Sequence, residues 1–185
     1  MKSAKLNRQI LFQHVQFYID QNYESDDTSS IFAFLGGLSI GGVLSGRSFS
    51  HGGADRQYIL DSLLQLTEKT FTEMLISIIE EKGKKFSEIY NKAGITKQHF
   101  SKIKNNPDYQ PTKNTALALA VALNLTLEET EDLIGRAGFT LSKSSKSDLV
   151  VEYFIKEKIY DVDEINYNLD SRGFETLTNS KNALK

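Results

Sequence analysis

Lysine, glutamine and serine set at helical spacing are side chains that reach nucleic acid, and residues 97–104, KQHFSKIK, carry them together. The Gln98 amide can pair in bidentate fashion with adenine, Lys97 or Lys102 can donate to guanine, and Ser101 can support them. Phe100 and Ile103 fall at the spacing of a core-facing stripe, which leaves these four on or near the outside. Around them, Lys92, Lys104, Thr112 and Lys113 are placed to hold phosphates, setting register without reading bases.

Positioning such a face needs a rigid support, and residues 86–105, FSEIYNKAGITKQHFSKIKN, read as two short helices joined by a tight turn. Ile89, Tyr90 and Ala93 put apolar groups on one face of the first helix. Gly94 supplies the left-handed backbone of the turn, Ile95 plugs the core beneath it, and Thr96 caps the second helix. Two more helices follow. Thr112 is a cap after Pro111, with Leu117, Leu119, Ala120 and Leu123 making a largely apolar helix. Thr126 and Glu129 then form a capping box ahead of Leu127, Leu133 and Ile134, and Gly138 stands where that helix should stop. Before the motif, residues 56–83 read as one or two helices, the second carrying Phe71, Met74, Leu75, Ile78 and Ile79 and ending at Gly83.

Residues 71–138 resemble the five-helix Xre, or Cro/C1-type, helix-turn-helix domain. The resemblance rests on Ala93-Gly94-Ile95-Thr96 and on the later Pro-Thr, Leu-Ala and Ala-Leu-Asn-Leu blocks, and covers roughly a third of the chain. It implies an all-α fold whose second motif helix enters the major groove of double-stranded DNA, in a domain that acts as a homodimer. Tyr90 departs from the family pattern, which has a small alanine between the two helices. The longer run 56–174 is similar to a group of uncharacterised bacterial Xre-like proteins with a C-terminal extension, a group that lends no function.

Charge is uneven. The chain has a net charge of −2, yet residues 82–113 hold eight lysines against Glu88 and Asp108, a local charge of +6. A phosphate backbone needs a footprint of that sign, although a merely solvated lysine face has the same composition. Residues 124–175 hold twelve acids and six bases. A segment of that sign should avoid DNA and could bind a basic partner or simply favour solubility. No cysteine is present and His14, His51 and His99 are scattered, so neither a metal site nor a cofactor is expected. With no long apolar run and no leader pattern, a cytoplasmic protein without a membrane segment is expected.

The remaining segments flank this core. Leu6, Ile10, Leu11, Val15, Tyr18 and Ile19 mark an amphipathic N-terminal helix, which can pack on the domain or pair with its copy. Residues 32–54 hold seven of the twelve glycines among apolar residues, fitting a mobile linker or a close-packed interface. Within them Gly37-Leu38-Ser39-Ile40-Gly41, with His51 and Asp55 downstream, matches a nucleophile-elbow pattern but lacks the strand and sheet that would hold it. No enzyme is expected. After a polar connector at 140–147, helices are expected over 148–158 and from Asp161, boxed with Glu164, to near Gly173.

The expected organisation is therefore residues 1–55 as helix plus glycine-rich linker, 56–140 as the helix-turn-helix domain, 141–175 as a helical extension and 176–185 as a flexible tail. Two functions remain open: a sequence-specific DNA-binding transcriptional regulator, or a protein-binding module, antitoxin-like or of the phage-host antagonism kind. The second would use the same scaffold through the acidic C-terminal half or the glycine-rich segment.

Overall fold

A computed structural model describes residues 2–23 and 68–178, the side chains of the first helix from Arg8 onward. Among these residues there are eight helices and no strand: α1 (Lys2–Asn22), α2 (Phe71–Glu81), α3 (Phe86–Lys92), α4 (Lys97–Asn105), α5 (Lys113–Ala122), α6 (Leu127–Gly135), α7 (Lys146–Lys156) and α8 (Val162–Asp170). None is long and apolar enough to cross a membrane. The glycine-rich segment, the Ser39 pattern, His51 and the helix expected from Arg56 lie outside the described residues.

Helix starts follow their capping side chains. Thr70 and Glu73 exchange reciprocal bonds at the start of α2, and Thr126 and Glu129 do the same for α6. The Thr96, Thr112 and Ser145 hydroxyls accept from the third residue of α4, α5 and α7. Ser145 moves the start of α7 two residues ahead of the expected Asp148, because its hydroxyl, not the Asp148 carboxylate, takes the free backbone amide. At α8 Asp161 accepts from the Asp163 and Glu164 amides. The expected reciprocal box is replaced: the Glu164 carboxylate reaches across to Arg8 of α1 at 3.1 Å.

Packing centres on α5. Every residue from Thr115 to Leu123 is buried, so this helix has no solvent face. It is packed by α3, α6 and α8, while α2 lies against α4 and α6, and α7 joins α6, α8 and α1. The extension is thus part of one core with the motif: Leu149, Val150, Phe154, Ile165 and Leu169 are each almost wholly buried in the same cluster as Ile79, Ile89 and Ile103.

Of the two roles open to the N-terminal helix, the structure shows packing within the chain. Val15 and Ile19 are buried, with Leu11 and Tyr18 half-buried beside them, whereas Ile10 is turned to solvent and Phe17 is 67% exposed. The Tyr18 hydroxyl donates to Glu152 at 2.9 Å and accepts from Lys156 at 2.8 Å, and Lys156 also pairs with Glu152. Those bonds push the Lys156 ammonium above its ordinary value, and burial raises the Tyr18 phenol. On the other side Arg172 donates to the Phe12 carbonyl and covers the Phe12 ring at 3.8 Å.

The tail expected to be flexible from 176 begins docked. Leu177 is buried, its amide donating to Asn166 Oδ1 at 2.8 Å, and Thr178 is buried at the turn between α3 and α4. Asn166 accounts for this: the residue is 1% exposed and its side-chain amide finds its hydrogen-bond partners in the tail.

The two sides of α1 should separate in stability measurements. Ile19→Ala is expected to cost about 2–4 kcal/mol in denaturant unfolding, as a large core truncation does. Phe17→Ser should stay within about 0.5 kcal/mol. Equal effects would contradict the packing described.

Candidate nucleic-acid interface

The α3–turn–α4 unit is built as its residues dictate. Ile89 and Ala93 close the inner face of α3, Phe100 and Ile103 that of α4, and Ile95 is 8% exposed beneath the turn. Gly94 takes φ +69°, allowing its amide to reach the Asn91 carbonyl and the Ile95 amide to reach Tyr90. Tyr90 stands half-buried at the rim with its ring 5.8 Å from that of Phe100; Phe86 meets the same ring at 5.7 Å. The far end of α4 is held from below, where the hydroxyl of buried Thr72 of α2 shares its one proton between the Ile103 and Asn106 carbonyls, each at 3.2 Å.

What this leaves outside is one polar arc. At 3.6 residues per turn, Lys97, Gln98, Ser101 and Lys102 span roughly 140° of α4, opposite the buried Phe100 and Ile103. All four are exposed. Asn105 lies in the middle of this arc, also exposed, with its amide donating to Ser101 at 3.2 Å. It continues the helical spacing of Lys97 and Ser101 at the last position of α4. Beyond it, Asn106 and Tyr109 extend the surface, the Tyr109 hydroxyl bonded to His99 Nε2 at 3.0 Å.

The residues expected to hold phosphates are differently placed. They do not form one row. Lys92, at the end of α3, donates to Asn124, and partial burial of its ammonium beside Lys84 holds it below the ordinary lysine value. Lys104, on the flank of α4, stands 4.2 Å over the Phe86 ring yet remains exposed. Thr112 accepts from the Thr115 amide and shares a bond with the Thr115 hydroxyl, so its side chain serves as a helix cap. Lys113 is half-buried and paired with buried Asp148 at 2.5 Å. Asp148 also accepts from the Ser142 amide. The acidic surface expected over 124–175 is correspondingly reduced, since Asp148 and Glu152 are buried against lysines and Glu164 is engaged by Arg8.

A scan of protein-family models and searches of curated proteins and solved structures return no match.

Backbone and contact constraints on the turn can be told apart. A Cβ on Gly94 would lie 2.8 Å from Thr178 Oγ1, whereas one on Gly83, at φ +61°, meets nothing within 4 Å. Gly83→Ala should therefore cost about 1 kcal/mol of strain and Gly94→Ala about 2–3 kcal/mol. Thr178→Ala should recover part of the second loss in a double-mutant cycle, and purely additive effects would show that the contact is not made.

Proposed function

We propose that the chain is an Xre-like, sequence-specific double-stranded DNA-binding regulator whose α4 enters the major groove. One observation carries this reading: an uncovered polar arc of Lys97, Gln98, Ser101, Lys102 and Asn105 on a helix fixed from beneath by Phe100, Ile103 and Thr72. An α-helix fits the width of the major groove, and amides and ammonium groups are the donors that distinguish adenine and guanine edges there. Gln98 and Asn105 serve as adenine readers and Lys97 and Lys102 as guanine donors. Exposed Lys104 acts at the flanking phosphates. A homodimer belongs to the same proposal, because two copies spaced by one helical turn of DNA would read a two-fold site. The reading is non-enzymatic: this face offers recognition groups rather than a paired acid and base.

The rival, a protein-binding module on the same scaffold, is favoured by a different observation. Lys92 and Lys113, two expected phosphate ligands, are occupied by groups of the chain itself. Binding of the full chain to random duplex pools, followed by selection, separates the two. Under the DNA reading, Gln98→Ala relaxes preference at one base position by about 1–3 kcal/mol. Lys104→Ala weakens all sequences alike and lowers the magnitude of the salt slope by about 0.9. Uniform loss on every sequence for Gln98→Ala, or no duplex binding at about 50 mM salt, overturns the assignment.

A further inference from the structure

Helix α1 has two stripes, and the fold uses one of them. Val15 and Ile19 are buried against the body of the chain. On the other side, four large hydrophobic side chains are exposed among the described residues, and two of them, Ile10 and Phe17, share the outer face of this helix. The other two, Tyr23 and Tyr167, have a cation over the ring, Lys146 at 4.6 Å and Arg8 at 4.8 Å. Ile10 and Phe17 have no such cover among the described residues. At about 100° per residue, Ile10, His14, Phe17 and Gln21 fall within about 60° of one another, and all four are exposed. Their spacing of four, three and four is that of a heptad seam, with Ile10 and Phe17 at d positions and His14 and Gln21 at a positions.

Charge selects the occupant of this seam. Of the eight exposed positions from Gln9 to Gln21 only Asp20 carries a formal charge, and it lies on the flank, accepting from Gln16 at 2.9 Å. Across the whole chain 25% of residues are charged, so the face is depleted of charge. Nucleic acid or an anionic membrane would need lysine or arginine here, and a strongly charged protein would need charges of the opposite sign. A homotypic pair has the reverse requirement. It sets a patch against its own copy, where any net charge repels itself, and a nearly uncharged patch meets that condition.

We propose that α1 pairs in parallel with α1 of a second copy of this chain through Ile10, His14, Phe17 and Gln21. In that arrangement Ile10 and Phe17 meet their own copies, apolar on apolar. The His14 imidazole and the Gln21 amide meet theirs, and each can both donate and accept a hydrogen bond. Polar groups at a positions cost stability but fix register and favour a defined pair over a larger assembly. The proposal supplies the surface for the homodimer of the DNA-binding reading and rests on that reading in this respect. A single helix pair about 31 Å long is smaller than a standard interface, so the association depends on concentration.

The test uses the full chain without duplex. In sedimentation from about 1 μM to about 1 mM, the mass should rise from one chain to two. Phe17→Ser should weaken the pair about tenfold or more, while its unfolding at the dilute end matches that of the native chain. Because the chain has no cysteine, a single introduced thiol reports on its own copy. Gln21→Cys, near one end of α1, meets its copy only in a parallel pair and should give a disulfide-linked dimer on mild oxidation. Gln16→Cys, about 140° further round the helix, should not. A single-chain mass at every concentration gives the seam to a different occupant and overturns the pairing. A dimer that Phe17→Ser leaves unchanged overturns it too, as does linking through Gln16→Cys and not through Gln21→Cys. Each of these leaves the α4 reading standing, and failure of the chain to bind duplex leaves the pairing standing.

Discussion

A helix with no polar face must be wrapped on every side, and α5 is such a helix. From Ala116 to Leu123 small and large apolar groups alternate, and every one of them is buried among neighbouring helices. The helices before it cover only part of its circumference. On other sides it is packed by α6 and by α8 of the C-terminal extension, so the extension shares the motif-bearing core.

Once the extension is drawn onto α5, its charges meet those of the motif. Asp148 and Glu152 lie on a helix whose residues 148–155 are all buried, and an unpaired carboxylate in such a place would carry a large desolvation cost. Lys113 and Lys156 offset part of that cost through direct pairs. The same event withdraws Lys113 from any external anion. Packing on one side of α5 thereby narrows the outward chemistry on the other, and the proposed duplex face is reduced to α4 and its flank.

The N-terminal helix is recruited by the same surface. Tyr18 is bonded to both members of the Glu152–Lys156 pair, and Arg172 and Glu164 of the extension engage Phe12 and Arg8. Segments far apart in sequence are thus tied by separate polar contacts around a common apolar centre. A face on α4 gains rigidity from this arrangement, since its supports Thr72, Phe100 and Ile103 are anchored in the same core.

Several helix ends were legible along the chain, because caps and left-handed stops act within four residues: Thr96, Thr112, Thr126 and Gly94 each do locally what their type requires. The sequence by itself also determined which side of α4 is apolar, since Phe100 and Ile103 allow only one inward face. Tertiary structure alone decided which lysines stay available. Lys97 and Lys113 look alike in a string of residues, but only the fold brings Asp148, thirty-five positions on, against Lys113. The same holds for Thr178 at the Gly94 turn, for Glu164 on Arg8 instead of on its own helix start, and for α1 against the extension. Pairings across such distances depend on how buried faces pack around α5, and spacing along the chain carries no record of them.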